Sequence, residues 1–206
     1  MTIFDNLEPS VRTIFEDNGC TCTIQEGFLT DSEASDFFDY FLKSLDWQHD
    51  TAKIYGKTII TKRKIVWYSD AGLDYNYSGA SRVGDGSWDP RVLGIKNRLE
   101  SETGYQFNSC LLNLYHSGDE AMGWHSDDQN HLEPSSPVCI VSLGAQRFFR
   151  LRMAADKVCK HKILLPNGSI LSMLGQTQQY WQHEISKSAT IKEPRISLTF
   201  RMMKRK

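Results

Sequence analysis

The sequence predicts an α+β fold in which an antiparallel barrel or jelly roll occupies the second half of the chain and amphipathic helices from the first half flank it. Three observations lead there. Two segments in the first half carry helix start signals followed by apolar residues at helical spacing. From Phe107 onward, short apolar runs recur instead of helical patterns. Turn-forming clusters separate those runs, among them Ser117-Gly118-Asp119, Pro134-Ser135-Ser136-Pro137 and Asn167-Gly168.

The first helix starts at Thr30-Asp31-Ser32-Glu33, a cap with a glutamate placed to reach back. Ala34, Phe37, Phe38, Phe41, Leu42 and Leu45 then share one face. Asp89 caps the second, Pro90 fits its first turn, Val92, Leu93, Ile95 and Leu99 form its apolar stripe, and Gly104 ends it. Between the helices, Tyr68 to Trp88 is rich in Gly, Ser, Asp and Tyr and reads as a long functional loop. The predicted strands are Cys110 to Leu114, Val138 to Leu143, Phe148 to Leu151, Lys162 to Leu165, Ile170 to Leu174 and Ile196 to Phe200.

At 206 residues and 40% hydrophobic content the chain fits one well-filled core, so a single domain is expected over 1–206. Its 24 basic and 25 acidic residues balance to a net charge of -1. No global polycation announces a nucleic-acid partner, and any such binding needs a local basic face. The five cysteines are odd in number and lack paired Cys-x-x-Cys units, which argues against a disulfide framework or structural zinc. A reducing, intracellular compartment is expected. The N-terminus shows no leader pattern and no run of eighteen apolar residues occurs, so a soluble protein with no membrane partner is expected.

Gly123-Trp124-His125-Ser126-Asp127 puts an imidazole and a carboxylate two residues apart, where an extended strand or its end projects both from one face. A third ligand can come from His183, 58 positions on, in the strand-like stretch Tyr180-Trp181-Gln182-His183. Two histidines and a carboxylate on one face of an octahedron leave three positions open, as non-haem iron(II) requires. By itself a His-x-Asp pair more often reflects a structural hydrogen bond. Arg195, twelve residues after His183, changes the balance, because its planar fork matches a dicarboxylate's distal carboxylate. Arg195, Ser197, Thr199 and Arg201 share strand parity, with Ile196, Leu198 and Phe200 opposite. That polar face suits a pocket better than core packing.

Asn113-Leu114-Tyr115, Gly123-Trp124-His125-Ser126-Asp127-Asp128, His183 and Arg195-x5-Arg201, in this order and spacing, resemble the AlkB family of iron(II) and 2-oxoglutarate dependent nucleic-acid demethylases. The resemblance runs from about Phe28 to the end. It implies a double-stranded β-helix (jelly roll) with flanking N-terminal helices, a nucleotide-recognition lid at about 50–88 and a catalytic core at about 105–203. It further implies that His125, Asp127 and His183 ligate Fe(II), with O2 and 2-oxoglutarate as co-substrates. Arg195 would pair with the distal carboxylate, helped by Tyr115 and Asn113. Thr199 and Arg201 would complete that pocket, Arg201 lying near Asp128. Position 197 departs from the pattern, since many relatives carry asparagine where this chain has Ser197.

The N-terminal third looks most like the homologues that repair double-stranded DNA. Tyr55, Gly56 and Lys57 fall where those relatives insert a finger into the base stack, and Tyr75, Asn76 and Tyr77 where they line the flipped-base pocket. Asp128 would reach the base edge. The activity implied is oxidative demethylation of 1-methyladenine and 3-methylcytosine type lesions in DNA, with RNA as a second substrate, by a monomer. The alternative keeps the iron and gives it a protein or small-molecule substrate. Lys53, Lys57, Lys62, Arg63 and Lys64 read as a phosphate-gripping patch beside the finger. His49, His116, His131 and His161 lack partners at metal spacing, and Trp47, Trp88, Trp124 and Trp181 read as packing aromatics.

Overall fold

The computed structural model describes residues 11–54, 57–77 and 80–205, with side chains described throughout these except over 52–58 and 74–82. In chain order the elements are β1 (Val11–Asp17), β2 (Cys20–Gln25), α1 (Asp31–Ser44), β3 (Gln48–Ile54), β4 (Lys57–Ser69), β5 (Asp74–Tyr77), β6 (Ala80–Val83), α2 (Pro90–Thr103), β7 (Ser109–Tyr115), β8 (Met122–His125), β9 (Val138–Gly144), β10 (Arg147–Met153), β11 (Cys159–Leu165), β12 (Ser169–Gly175), α3 (Thr177–Tyr180), β13 (Trp181–Ile185) and β14 (Arg195–Arg201).

Both long helices start where their sequence signals say, and α2 stops at its glycine, whereas α1 ends at Ser44 with Leu45 already extended. The Glu33 amide donates to Thr30 Oγ1 at 3.2 Å, and the Glu33 carboxylate accepts from the Thr30 amide at 2.8 Å, closing a capping box. Asp89 accepts from the amides of Arg91 and Val92 at 2.9 and 3.2 Å. Gly104 ends α2 with φ 73°, a left-handed cap that glycine adopts without steric penalty. Each side-chain cap contributes about 1 kcal/mol.

Eight strands form one sheet in the order β1-β2-β12-β9-β14-β7-β4-β3, and four form a second in the order β11-β10-β13-β8. The strand pairs within both sheets are antiparallel, and the two sheets face each other as a jelly roll. The central strands of the large sheet are buried on both faces. Ile196, Leu198 and Phe200 on β14 join Leu112 and Leu114 on β7, with Val141 and Leu143 on β9, in a core roofed by Phe41 of α1 and Val92, Ile95 and Leu99 of α2. Between the sheets lies a second core containing Cys22, Ile140, Phe149, Leu151, Ile163, Leu171, Met173 and Trp181. This double burial explains why β7, β9 and β14 read as near-continuous apolar runs.

The sequence reading missed several strands. The β1–β2 hairpin extends the large sheet through β12, yet β1 is an edge strand with a bulge and mostly exposed side chains, so no alternation marks it. The segment read as a loop from Tyr68 contains the end of β4 and the small β5–β6 hairpin. Four-residue strands such as β5, β6 and β8 are too short to show a period. Among the described residues no helix is long and apolar enough to cross a membrane.

Candidate metal and co-substrate site

Strands β8 and β13 pair only at His125 opposite His183 and Met122 opposite Ile185, with a register shift between the two pairs. Three steps on β8 thus span two on β13, a bulge that turns both Met122 and His125 into the space between the sheets. The two imidazoles meet at a centroid distance of 4.2 Å. His125 Nδ1 lies 2.8 Å from the carbonyl oxygen of Gly123, a neighbour that accepts a hydrogen, so Nδ1 carries the proton and Nε2 keeps its lone pair for a ligand. His183 is 5% exposed and stacks on Phe149 at 5.2 Å.

Asp127 lies just past the end of β8 rather than on it. Its amide donates to Gln178 Oε1 at 2.9 Å, and the preceding Ser126 hydroxyl donates to the Trp181 carbonyl at 2.8 Å, which tethers this turn to α3 and β13. Ligand atoms of His125, Asp127 and His183 all lie within 4.8 Å of one another. Arg201 Nε and Nη2 donate to the two carboxylate oxygens of Asp127, each at 2.9 Å. Burial alone would push the Asp127 carboxyl up, but the Arg201 guanidinium and the neighbouring imidazoles hold it well below the usual carboxylate range. Burial pushes His183 down to about 3, with His125 beside it adding to the shift, and burial lowers His125 as well. At neutral pH the trio is two neutral imidazoles and a carboxylate, which is the ligand-ready state of all three.

Strand β14 supplies the floor. It runs between β7 and β9, so Arg195 stands opposite Tyr115 and Gly144, and Ser197 opposite Asn113 and Ser142. Arg195, Ser197, Thr199 and Arg201 line one cavity together with Asn113, Tyr115, His125 and His183. Gly144 leaves β9 at φ +80°, where an added Cβ would lie 2.7 Å from the Pro194 carbonyl oxygen, so the close approach of the β14 entry needs glycine. Arg195 is 1% exposed, and burial draws its guanidinium down to about 10, so it stays charged at neutral pH. Its Nη2 donates to Ser142 Oγ at 2.9 Å, whereas Nε and Nη1 are buried with no hydrogen-bond partner. A buried, charged donor without an acceptor costs several kcal/mol unless a ligand supplies one.

The family model described as the 2OG-Fe(II) oxygenase superfamily matches residues 21–201. Human DNA oxidative demethylase ALKBH2 is 32% identical over 204 residues, covering 94% of this chain and 77% of that protein. The chain belongs to the AlkB family of 2OG-Fe(II) oxygenases. Bovine alpha-ketoglutarate-dependent dioxygenase alkB homolog 3 is 35% identical over 190 residues, 88% of this chain and 65% of the bovine protein. The chain therefore spans a little under two thirds of that relative's length. The solved structure of OsALKBH1 superposes with a TM-score of 0.65 at 18% identity, covering 93% of this chain and all of that one, which shows a shared fold. Fe(II), 2-oxoglutarate and O2 are the cofactor and co-substrates of the superfamily. The donor set fits them on two counts, the clustered His125, Asp127 and His183 and the two unpartnered donors of Arg195.

Other residues expected from the AlkB resemblance fall in different places. The Tyr115 ring has two guanidiniums near it, Arg147 at 5.7 Å and Arg195 at 5.6 Å from its centroid. Asn113 accepts from Arg63 Nη1, and Arg63 Nη2 pairs with Asp50 at 2.6 Å. Arg63 is 4% exposed, so it leaves the proposed phosphate patch. It shares strand parity with buried Ile65, whereas exposed Lys62 and half-buried Lys64 face the other way. That parity was readable in the sequence, and the density of charge obscured it. Arg201 pairs with Asp127. Asp128 is exposed, accepting from the Asn130 amide at 2.9 Å and pairing with His131 Nδ1 at 3.0 Å. His116 likewise has a partner, Glu120, at 2.9 Å. Tyr55 and Gly56 lie outside the described residues, as do the side chains of Lys53, Lys57, Tyr75, Asn76 and Tyr77. Gln178, which holds the Asp127 amide, was missed because its sequence context, Gln176-Thr177-Gln178-Gln179, carries no chemical signature.

Proposed function

We propose that the protein oxidatively demethylates N-alkylated bases of the 1-methyladenine and 3-methylcytosine type in nucleic acid. The observation that carries this reading is that His125 and His183, whose ligand atoms cluster with that of Asp127, line the same cavity as Arg195 with its unpartnered Nε and Nη1. His125, Asp127 and His183 would hold Fe(II), which supplies the oxidising chemistry when co-substrate and O2 are bound. Arg195 receives the distal carboxylate of 2-oxoglutarate, with Tyr115 and Thr199 beside it and Asn113 oriented by Arg63. Arg201 keeps Asp127 anionic and oriented. The relatives' names support the substrate class, since ALKBH2 is a DNA oxidative demethylase.

Chemistry on a base requires it to leave the stack, at a cost of a few kcal/mol that is least for a damaged or poorly paired base. Tyr55, Gly56 and Lys57 serve as the finger that offsets this cost, and Tyr75, Asn76 and Tyr77 line the base pocket. Asp128, exposed beside the site, offers a carboxylate to a base made cationic by N-methylation. Lys62 and Lys64 meet phosphate. The chain acts as one catalytic domain and as a monomer inside the cell. All five cysteines are free thiols, which fits a reducing compartment. The test is single turnover with Fe(II), 2-oxoglutarate and methylated oligonucleotides, reading succinate, formaldehyde and restored base. Coupled release of all three is expected, and succinate without restored base would remove nucleic acid as the substrate.

A further inference from the structure

Trp124 sits beside His125 but points away from the metal site, onto the outer face of the four-stranded sheet. There it meets two guanidiniums from β10, Arg152 with Cζ 4.3 Å and Arg150 with Cζ 5.3 Å from the ring centroid. Neither arginine is loose. Arg152 Nε and Nη2 donate to Gln182 Oε1 at 2.9 and 2.7 Å, and Arg150 Nη1 donates to Glu184 Oε1 at 2.7 Å. Gln182 and Glu184 are the two residues flanking His183 on β13, and they stand opposite Arg152 and Arg150 in the β10–β13 ladder.

The arrangement matters because β8 is the edge strand of that sheet and has little backbone pairing of its own. Among the described residues its only strand partner is β13, at two positions, with the bulge between them. Backbone hydrogen bonding alone therefore leaves the angle and depth of His125 weakly specified. On the outer face, the arginines reach from β10 across β13 to the Trp124 ring. Both contacts are cation–π attractions that hold the ring's face against the guanidiniums.

We infer that Trp124, held by Arg150 and Arg152, is a positioning clamp that sets His125 against His183 and so fixes metal affinity from the opposite face of the sheet. The inference rests on the metal-ligand reading above. Partners that orient metal ligands from behind change metal affinity by about 10–100-fold when removed.

The experiment is anaerobic Co(II) titration of the full chain, followed by ligand-field absorption, well below each variant's Tm. Trp124→Leu keeps apolar bulk and removes the ring, and is expected to weaken Co(II) at least about 10-fold and to change the ligand-field spectrum. Trp124→Phe keeps an aromatic face and should recover most of the affinity. Arg152→Gln should weaken binding in the same direction, and it tests the clamp independently should the leucine variant fail to fold. A merely structural role would lower Tm while leaving affinity and spectrum of the folded protein unchanged, and that result overturns the clamp. Equal loss in the leucine and phenylalanine variants overturns it too, because the ring would then not be the operative feature. His183→Ala is the control for the underlying reading. Wild-type Co(II) binding in that variant would sink the metal assignment itself, whereas wild-type binding confined to the Trp124 and Arg152 variants sinks only the clamp.

Discussion

His125 and His183 are direct partners across the β8–β13 ladder, their ring centroids 4.2 Å apart, although 58 residues separate them in the chain. Two neutral imidazoles held side by side and tilted 59° to each other on the inner surface, with the Asp127 carboxylate close by, form a one-sided donor set. Replacing His183 by alanine should therefore abolish metal binding and turnover while leaving the fold intact. Equilibrium dialysis with Fe(II) or Co(II) alongside far-UV circular dichroism checks both halves of that statement.

Arg195 is a buried cation with two unsatisfied N–H groups when no co-substrate is bound. Arg195→Met removes that cost, so the ligand-free variant should be no less stable than the parent. Its affinity for 2-oxoglutarate should fall by about 100-fold or more, the equivalent of two lost charge-assisted hydrogen bonds. Thermal melts with and without 2-oxoglutarate separate these effects. A variant that melts lower alone, yet keeps the co-substrate-dependent rise, would contradict the assignment.

Acid should unfold the metal-free protein early. Burial lowers His183 from 6.5 to about 3, so between those values the unfolded chain binds a proton that the native state refuses. Stability is thus intact above about pH 6.5 and declines as pH falls, by about 1.4 kcal/mol per pH unit for one such group. The carboxyl of Asp127, lowered in the native state, adds to the same decline once pH drops below its unfolded value of 3.8. Urea midpoints between pH 7 and pH 4 measure this, and His183→Gln should flatten the slope. An unchanged slope would place the acid sensitivity elsewhere.

Asp50 and Arg63 form a buried ion pair, 3% and 4% exposed, that also orients Asn113. Asp50→Ala leaves Arg63 uncompensated and should cost about 3–5 kcal/mol of stability. Lys62→Ala, one residue from Arg63 on the exposed side, should cost almost nothing and act only on nucleic-acid binding. Chemical denaturation of the two variants distinguishes a core arginine from a phosphate contact.

Only one of the five thiols should react quickly with a disulfide reagent. Cys159 is exposed, whereas Cys20, Cys22, Cys110 and Cys139 are buried, and burial pushes the thiols of Cys22 and Cys139 up to about 12. Mass spectrometry after brief labelling under native conditions should find the adduct on Cys159 alone.

Much of the frame was legible because the signals were local. The Thr30 and Asp89 caps, the Gly104 stop and the parity of Arg195, Ser197, Thr199 and Arg201 each follow from a few consecutive residues. What escaped depended on partners far along the chain. Gln178 reaches the Asp127 amide across 51 residues, and Arg63 turns inward because Asp50 and Asn113 await it. Trp124 read as an ordinary packing aromatic, since nothing near it in sequence announces the arginines of β10. Asp127 was expected on a strand or at its end, and it lies just past the end. The strand ends at His125, and the turn after it, tied by Ser126 and Gln178, brings the carboxylate to the same cluster.

The most direct test of the account is anomalous X-ray diffraction from crystals grown without oxygen in Mn(II) and 2-oxoglutarate. One metal peak is predicted, within coordination distance of His125 Nε2, a His183 ring nitrogen and an Asp127 oxygen, with a carboxylate accepting from Arg195 Nε and Nη1. A metal bound away from these three side chains, or a co-substrate that leaves those Arg195 donors untouched, would contradict it.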